Sequence, residues 1–191
     1  MVANNMRSKP LLILLGLLLN IGVYAQVHNT AQTLSRGTVS LSAVPVMVNF
    51  EGSNDFSLYL NAGVGLNPGV DIAGQLGFGR GGSETWWGLN IEKQLWKTKP
   101  YLSVAGGIHN FGDFGLDGTL NLTIPASGTA DLYGGIDLEM NFYNSVTEVP
   151  TWAFVGTEIR HSRQVFILLE AAIGVSANAP NFISLGLGVF L

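Results

Sequence analysis

From about residue 37 to the C-terminus, apolar side chains return at every second position in segment after segment, and that period of two leaves few folds open. Phe56, Leu58, Leu60, Ala62, Val64 and Leu66 fall on one face, while Ser57, Tyr59, Asn61, Gly63 and Gly65 fall on the other. After the turn residues Asn67, Pro68 and Gly69, the residues Val70, Ile72, Leu76 and Phe78 oppose Asp71, Ala73, Gln75 and Gly77. The same alternation continues to the last stretch, where Ile183, Leu185, Leu187, Val189 and Leu191 oppose Ser184, Gly186 and Gly188. A helix would need a period near 3.6, so the chain reads as an all-β meander. The strands are expected at 38–50, 55–66, 69–80, 84–95, 100–111, 116–125, 130–143, 150–161, 163–175 and 181–191. Each is close to the ~9–11 residues with which a tilted strand crosses a bilayer; eight strands is the alternative to ten. In the first segment the parity shifts near Val44 and Pro45. Proline cannot donate to a ladder, and a bulge there would account for the shift.

Alternation alone does not separate a soluble barrel from one turned inside out, so the composition of the polar face decides. A face bathed in water is normally rich in lysine and glutamate, yet Lys93, Lys97 and Lys99 are the only lysines after Lys9. The polar positions are mostly Gly, Ser, Thr, Asn, Gln and Tyr, which suit the crowded interior of a small closed barrel. Charged residues make up 12% of the chain and the mean hydropathy is +0.33, too apolar for an ordinary soluble domain, while 37–191 contains no apolar run long enough for a membrane helix. The apolar face is therefore assigned to lipid. Trp87, Trp96, Phe142, Tyr143 and Trp152 lie near segment ends, where an interfacial aromatic girdle would place them. A soluble sandwich with its apolar faces packed together is the alternative.

The N-terminus has a different grammar. Arg7 and Lys9 precede an apolar stretch from Leu11 to Leu19, and Val23 and Ala25 set small residues at the −3 and −1 positions of a cleavage site. Residues 1–25 are read as a signal peptide, 26–36 as a short polar periplasmic extension, and 37–191 as the barrel. The 191 residues hold no Cys and three scattered His (His28, His109, His161), so neither a disulfide framework nor a metal site is expected, and no cofactor. A net charge of -4 argues against nucleic acid as a partner.

The C-terminal Ser184-Leu185-Gly186-Leu187-Gly188-Val189-Phe190-Leu191 resembles the terminal strand of small Gram-negative outer-membrane β-barrels of the OmpA and OmpX class, differing in ending on Leu191 rather than an aromatic residue. The resemblance implies a closed antiparallel up-and-down transmembrane barrel in the bacterial outer membrane. It also implies an assembly signal at Ser184, Gly186, Val189, Phe190 and Leu191 read by the barrel-assembly machinery, outer-membrane lipid as the surrounding partner, and no particular activity. Association with other outer-membrane proteins is compatible with it.

Parity turns Asp71, Glu92, Asp117, Asp137, Glu139, Glu158 and Glu170 inward, with Arg160 and His109 as the inward bases. Such a lumen is either an internally paired plug, with Arg160 bridging Glu158, Glu170 or Glu139 and Tyr59, Trp86, Tyr101 and Tyr133 filling space, or a narrow cation pore. Asp113 and Asp117 lie close to His109 in sequence, with Ser83 or Ser103 as conceivable neighbours, the minimum for a hydrolase or acyltransferase at the rim; otherwise His109 is a polar residue on a wet mouth. Gly77-Phe78-Gly79-Arg80-Gly81-Gly82 has phosphate-loop spacing, but a strand rather than a helix follows, so it reads as a glycine-rich turn. The expected loops at 51–54, 81–83, 112–115, 144–149 and 176–180 are short, which disfavours an adhesin or receptor. The leading expectation is a non-enzymatic structural barrel or complex subunit, ahead of the cation channel and the rim enzyme.

Overall fold

The computed structural model describes residues 30–50, 53–79, 84–110, 114–143, 146–177 and 179–191. These form β1 (Val39–Phe50), β2 (Ser53–Asn67), β3 (Val70–Gly79), β4 (Glu84–Trp96), β5 (Tyr101–Asn110), β6 (Phe114–Pro125), β7 (Ala130–Tyr143), β8 (Val146–Glu148), β9 (Thr151–Arg160), β10 (Val165–Gly174) and β11 (Asn181–Phe190). Every neighbouring pair is antiparallel, and β1 pairs with β11, so the sheet closes on itself and has no free edge. β8 and β9 take turns along β7: Asn141–Tyr143 pair with β8, and Ala130–Leu138 with β9. Between them Pro150 breaks the strand while its carbonyl still accepts from the Glu139 N–H at 3.0 Å. Ten strand positions therefore circle the barrel. At ~3.3 Å per residue and a tilt near 40°, strands of 10 residues such as β3, β9 and β10 rise ~25 Å, the height of an outer-membrane apolar band.

Both described chain ends and the tight hairpins lie at one mouth, called here the terminal mouth. Its turns follow their sequence. Pro68-Gly69 joins β2 to β3 with Gly69 at φ +84°, a conformation costly for any other residue. Ser127 and Ser162 each accept two backbone N–H bonds at 3.0–3.2 Å from the residues two and three positions on, closing the β6–β7 and β9–β10 hairpins.

The exterior is predominantly apolar. Phe56, Val155 and Ile173 are 65%, 62% and 64% exposed, and Leu60, Leu76, Leu89, Ile91, Leu120, Ile136, Leu169, Leu185 and Leu187 continue the belt around the wall. A surface of this kind is stable against acyl chains and not against water. The protein is a transmembrane β-barrel, and a closed antiparallel barrel with an apolar exterior is the architecture of bacterial outer membranes. Trp87, Trp96 and Phe142 are on this outer wall, Phe142 stacked on Phe114 with ring centroids 6.2 Å apart. Trp152 is not: it points inward, and its indole N–H donates to the Pro180 carbonyl at 2.7 Å, tying β9 to the loop ahead of β11. The Tyr143 side chain lies outside the described residues.

The expected bulge at Pro45 is absent. β1 stays in constant register with β2 through Pro45, which pairs with Leu58, and the parity shift arises because Val44 and Val46 are inward-facing apolar residues. Irregular register occurs instead at Gly65/Asn67 and at Gln94/Trp96, both at the terminal mouth.

Candidate functional site

The interior is a concave surface that the fold builds from many strands at once, and its apolar and ionisable side chains are gathered into clusters. On one side, Phe154 and Trp152 of β9, Phe166, Leu168 and Ala172 of β10 and Phe190 of β11 form a buried cluster with Leu34 and Tyr133. Phe166 and Phe190 stack at 4.5 Å. Lumen side chains were expected to be small or polar, and here they are not. The run Phe166-Ile167-Leu168-Leu169 breaks the alternation because both faces are buried, one against lipid and one against this cluster.

Large inward rings are accommodated by glycine on the paired strand. Trp86 lies over Gly77, His109 over Gly115, Tyr133 over Gly156 and Phe166 over Gly188, each a directly paired position. In all four cases a Cβ on the glycine would overlap the ring. The phosphate-loop spacing beginning at Gly77 thus has a packing origin in its described part: Gly77 and Gly79 both make room for Trp86, which also contacts Tyr59 at 5.5 Å between centroids. Arg80, Gly81 and Gly82 lie outside the described residues.

Ionisable groups line the rest of the bore, and Glu158, Arg160 and Glu170 stand on β9 and β10 beside the apolar cluster. Asp71, Glu92, His109, Asp137, Glu139, Glu158, Arg160 and Glu170 all occupy inward positions, buried or half-buried. They are gathered into separate clusters rather than one site. Near the terminal mouth, Arg160 bridges Asp131 and Glu158, with Nε 2.9 Å from Glu158 Oε1 and an Nη2 hydrogen bond to Asp131 Oδ2. Glu158 was an expected partner. Asp131 was not singled out, although it lies two residues before the inward Tyr133 and so shares its face. Farther around the wall, Glu92 accepts from the Ser103 hydroxyl and from Asn121 Nδ2 (3.4 Å), directly across the ladder from Asp71.

At the other end of β5 and β6, His109 is buried, with Nδ1 3.1 Å from Asp117 Oδ2 and Nε2 2.8 Å from Asn141 Oδ1. It is not a residue on a wet mouth. Asp137 accepts from the Thr119 hydroxyl at 2.6 Å. With both imidazole nitrogens engaged by Asp117 and Asn141, the dyad has the orientation of a supporting network, and Ser103 bonds Glu92 near the opposite end of β5. Asp113 and Ser83 lie outside the described residues. Among the described residues no group of three or more His, Asp or Glu is arranged to hold a metal.

The largest departure from expectation concerns the segment before β1. Residues 26–36 were expected to form a polar extension ahead of the barrel; in the described part, 30–36, the chain instead runs inside the terminal mouth. The Ala31 N–H donates to Thr123 Oγ1 of β6 at 2.7 Å, Gln32 Nε2 to Asp131 Oδ2 of β7 at 2.8 Å, and the Leu34 N–H to Asp71 Oδ2 of β3 at 2.8 Å. Thr33 reaches Gln94 of β4 at 3.5 Å, and Gly37 donates to the Gly65 carbonyl of β2 at 2.8 Å. Thr30, Ala31 and Leu34 are at most 1% exposed. Seven extended residues reach ~23 Å, sufficient to cross the bore from β6 and β7 to β2. The residues carry no periodicity, so nothing in this segment by itself indicated a buried destination.

The C-terminal residues are placed by the same alternation: Ser184, Gly186 and Phe190 face inward, Leu185 and Leu187 outward, and the Leu191 N–H donates to the Val39 carbonyl at 2.8 Å, closing the barrel seam.

No protein-family model matches the chain, and no curated protein matches its sequence. Among solved structures it is similar to a KdgM porin in complex with disordered oligogalacturonate, at 13% identity over 78% of this chain and 98% of that one, with a TM-score of 0.48. It is also similar to a de novo designed transmembrane β-barrel (13% identity, 82% and 98% covered, TM-score 0.46). A third is the N-terminal β-barrel domain of Pseudomonas aeruginosa OprF (14%, 82% and 98%, TM-score 0.40). These are likenesses of architecture.

Proposed function

We propose that this chain is an occluded outer-membrane barrel with a structural or complex-subunit role, inserted by the barrel-assembly machinery and working through its lipid-facing wall and short loops rather than through catalysis. The observation that carries this reading is the chain segment seated across one mouth. An apolar cluster occupies part of the interior, Arg160 and His109 are bonded to neighbouring side chains, and residues 30–37 lie across the terminal mouth. A conducting pore needs a continuous wet path, and a rim enzyme needs a nucleophile within reach of its base; His109 instead meets Asp117 and Asn141. Reconstitution of the wild-type chain in planar bilayers is expected to give no sustained steps above background. Reproducible cation-selective steps that disappear in an Asp137→Asn, Glu139→Gln double variant would replace this reading with a channel. Turnover of a lipid or peptide substrate abolished by His109→Ala would replace it with an enzyme.

A further inference from the structure

We infer that residues 30–37 are a displaceable closure, and that the barrel passes small cations when this segment leaves its seat. The inference rests on the occluded barrel proposed above and adds a second, conducting state to it.

The seat is built into the wall. Gly65 of β2 pairs with Arg36 in a parallel bridge and exchanges backbone bonds with Gly37 (2.8 Å) and Thr38 (2.9 Å). A Cβ at Gly65 would overlap the Ser35 carbonyl oxygen and approach that of Leu34 to 2.6 Å, so a glycine stands where the segment presses on the wall. The remaining anchors, Thr123, Asp131, Asp71 and Gln94, come from four different strands and converge on consecutive residues of the segment. Charge is complementary: residues 30–38 contain Arg36 and no acid, and they face Asp71 and Asp131.

The attachment is of a different kind from that between strands. β1 alone pairs with β2 along its whole length, Val39 to Phe50, whereas the segment meets the wall through single bonds to scattered side chains and the one bridge at Gly65. Only Thr30, Ala31 and Leu34 are buried, and of the interior apolar cluster only Leu34 belongs to the segment. The segment can therefore leave while every barrel ladder stays intact, a local opening below the stability of the whole.

What it leaves behind is a lining rich in carboxylates. Asp71, Glu92, Asp137 and Glu139 lie on β3, β4 and β7, and Thr119, Asn121 and Thr123 of β6 supply polar groups between them. Arg160 is already paired with Asp131 and Glu158, and the apolar cluster is drawn mainly from β9–β11 together with Tyr133 of β7. Water admitted past the segment would run along carboxylates, and carboxylate-lined constrictions favour cations.

The chain contains no cysteine, so Leu34→Cys in the full-length protein supplies a sole thiol on the segment, smaller than the leucine it replaces and buried when seated. The variant is reconstituted in planar bilayers and exposed to a cationic, membrane-impermeant methanethiosulfonate. A control variant carries its thiol at His161, in the exposed β9–β10 turn. The thiol at 34 is expected to react at least ~100-fold more slowly than that at 161, as a seated segment that opens transiently requires. Its modification, which adds a charged group that cannot return to the seat, is expected to bring on cation-selective steps. Adding Asp137→Asn and Glu139→Gln should then lower cation-over-anion permeability at least ~2-fold. Reaction as fast as at 161, no reaction over hours, or a modified barrel that stays silent each overturns the inference. Sustained steps in the wild-type chain, as frequent as in the modified barrel, defeat the occluded-barrel reading and this one with it, whereas a modified but silent barrel defeats this one alone.

Discussion

Phe166 and Gly188 offer a direct measure of whether the interior is a packed core or a wet lumen. Phe166 is fully buried, stacks on Phe190 and sits over Gly188 on the paired strand. A Cβ at Gly188 would lie 2.6 and 2.7 Å from Phe166 Cε2 and Cε1, far inside the ~3.5–4.0 Å of a carbon–carbon contact. Truncating the ring, Phe166→Ala, should cost ~3–5 kcal/mol because the surrounding β-sheet cannot collapse into the void. Gly188→Ala forces the ring out of position and should cost ~1–3 kcal/mol. In the double variant the new methyl enters the space the ring has left. The two effects should therefore fall short of additive by ~1–3 kcal/mol, a coupling characteristic of groups in contact. The assay is urea unfolding from phospholipid vesicles followed by tryptophan fluorescence, with heat-modifiable gel migration confirming that each variant forms a barrel. A cost below ~1 kcal/mol for Phe166→Ala together with simple additivity would mean that water already surrounds the ring, and the description of this wall as a core would fail.

The outward assignment of the apolar face predicts that Leu185→Arg, on the exposed wall of β11, destabilises the barrel in vesicles by ~2–4 kcal/mol, measured by the same titration; an effect near zero would point to a water-facing wall. Arg160→Met leaves Asp131 and Glu158 buried without their cation and should cost ~3–5 kcal/mol, much of it recovered when Asp131→Asn and Glu158→Gln are added. Trp152→Phe removes the bond to the Pro180 carbonyl while keeping most of the buried ring. A loss of ~0.5–1.5 kcal/mol is expected, with faster proteolysis in the loop ahead of β11, and unchanged cleavage there would show that the bond does not hold the loop.

The alternation of apolar and polar residues determined by itself that the chain is all β, that its segments end close to where the long strands do, and which face each of Asp71, Glu92, His109, Asp137, Glu139, Glu158, Arg160 and Glu170 would share; ten positions rather than eight, and the short β8 inside the expected loop at 144–149, came from the closed sheet. The properties read from alternation are local: successive Cβ atoms point to opposite sides of any strand, so parity is written residue by residue. The same rule would have placed Asp131 inward from Tyr133. The unbroken run Phe166-Ile167-Leu168-Leu169 also carried a usable signal, since a strand buried on both faces has no reason to alternate.

Only closure of the sheet decided the rest. Which acid Arg160 meets, that His109 lies between Asp117 and Asn141, that glycines at 77, 115, 156 and 188 answer rings on the next strand, and that Trp152 reaches the Pro180 carbonyl all depend on how separate strands are brought together. Residues 30–37 show the limit most clearly. Their small polar side chains have no period to read, and their place across the terminal mouth is fixed by Thr123, Asp131, Asp71 and Gly65, anchors scattered along the sequence that become neighbours only when the sheet curls and β1 joins β11.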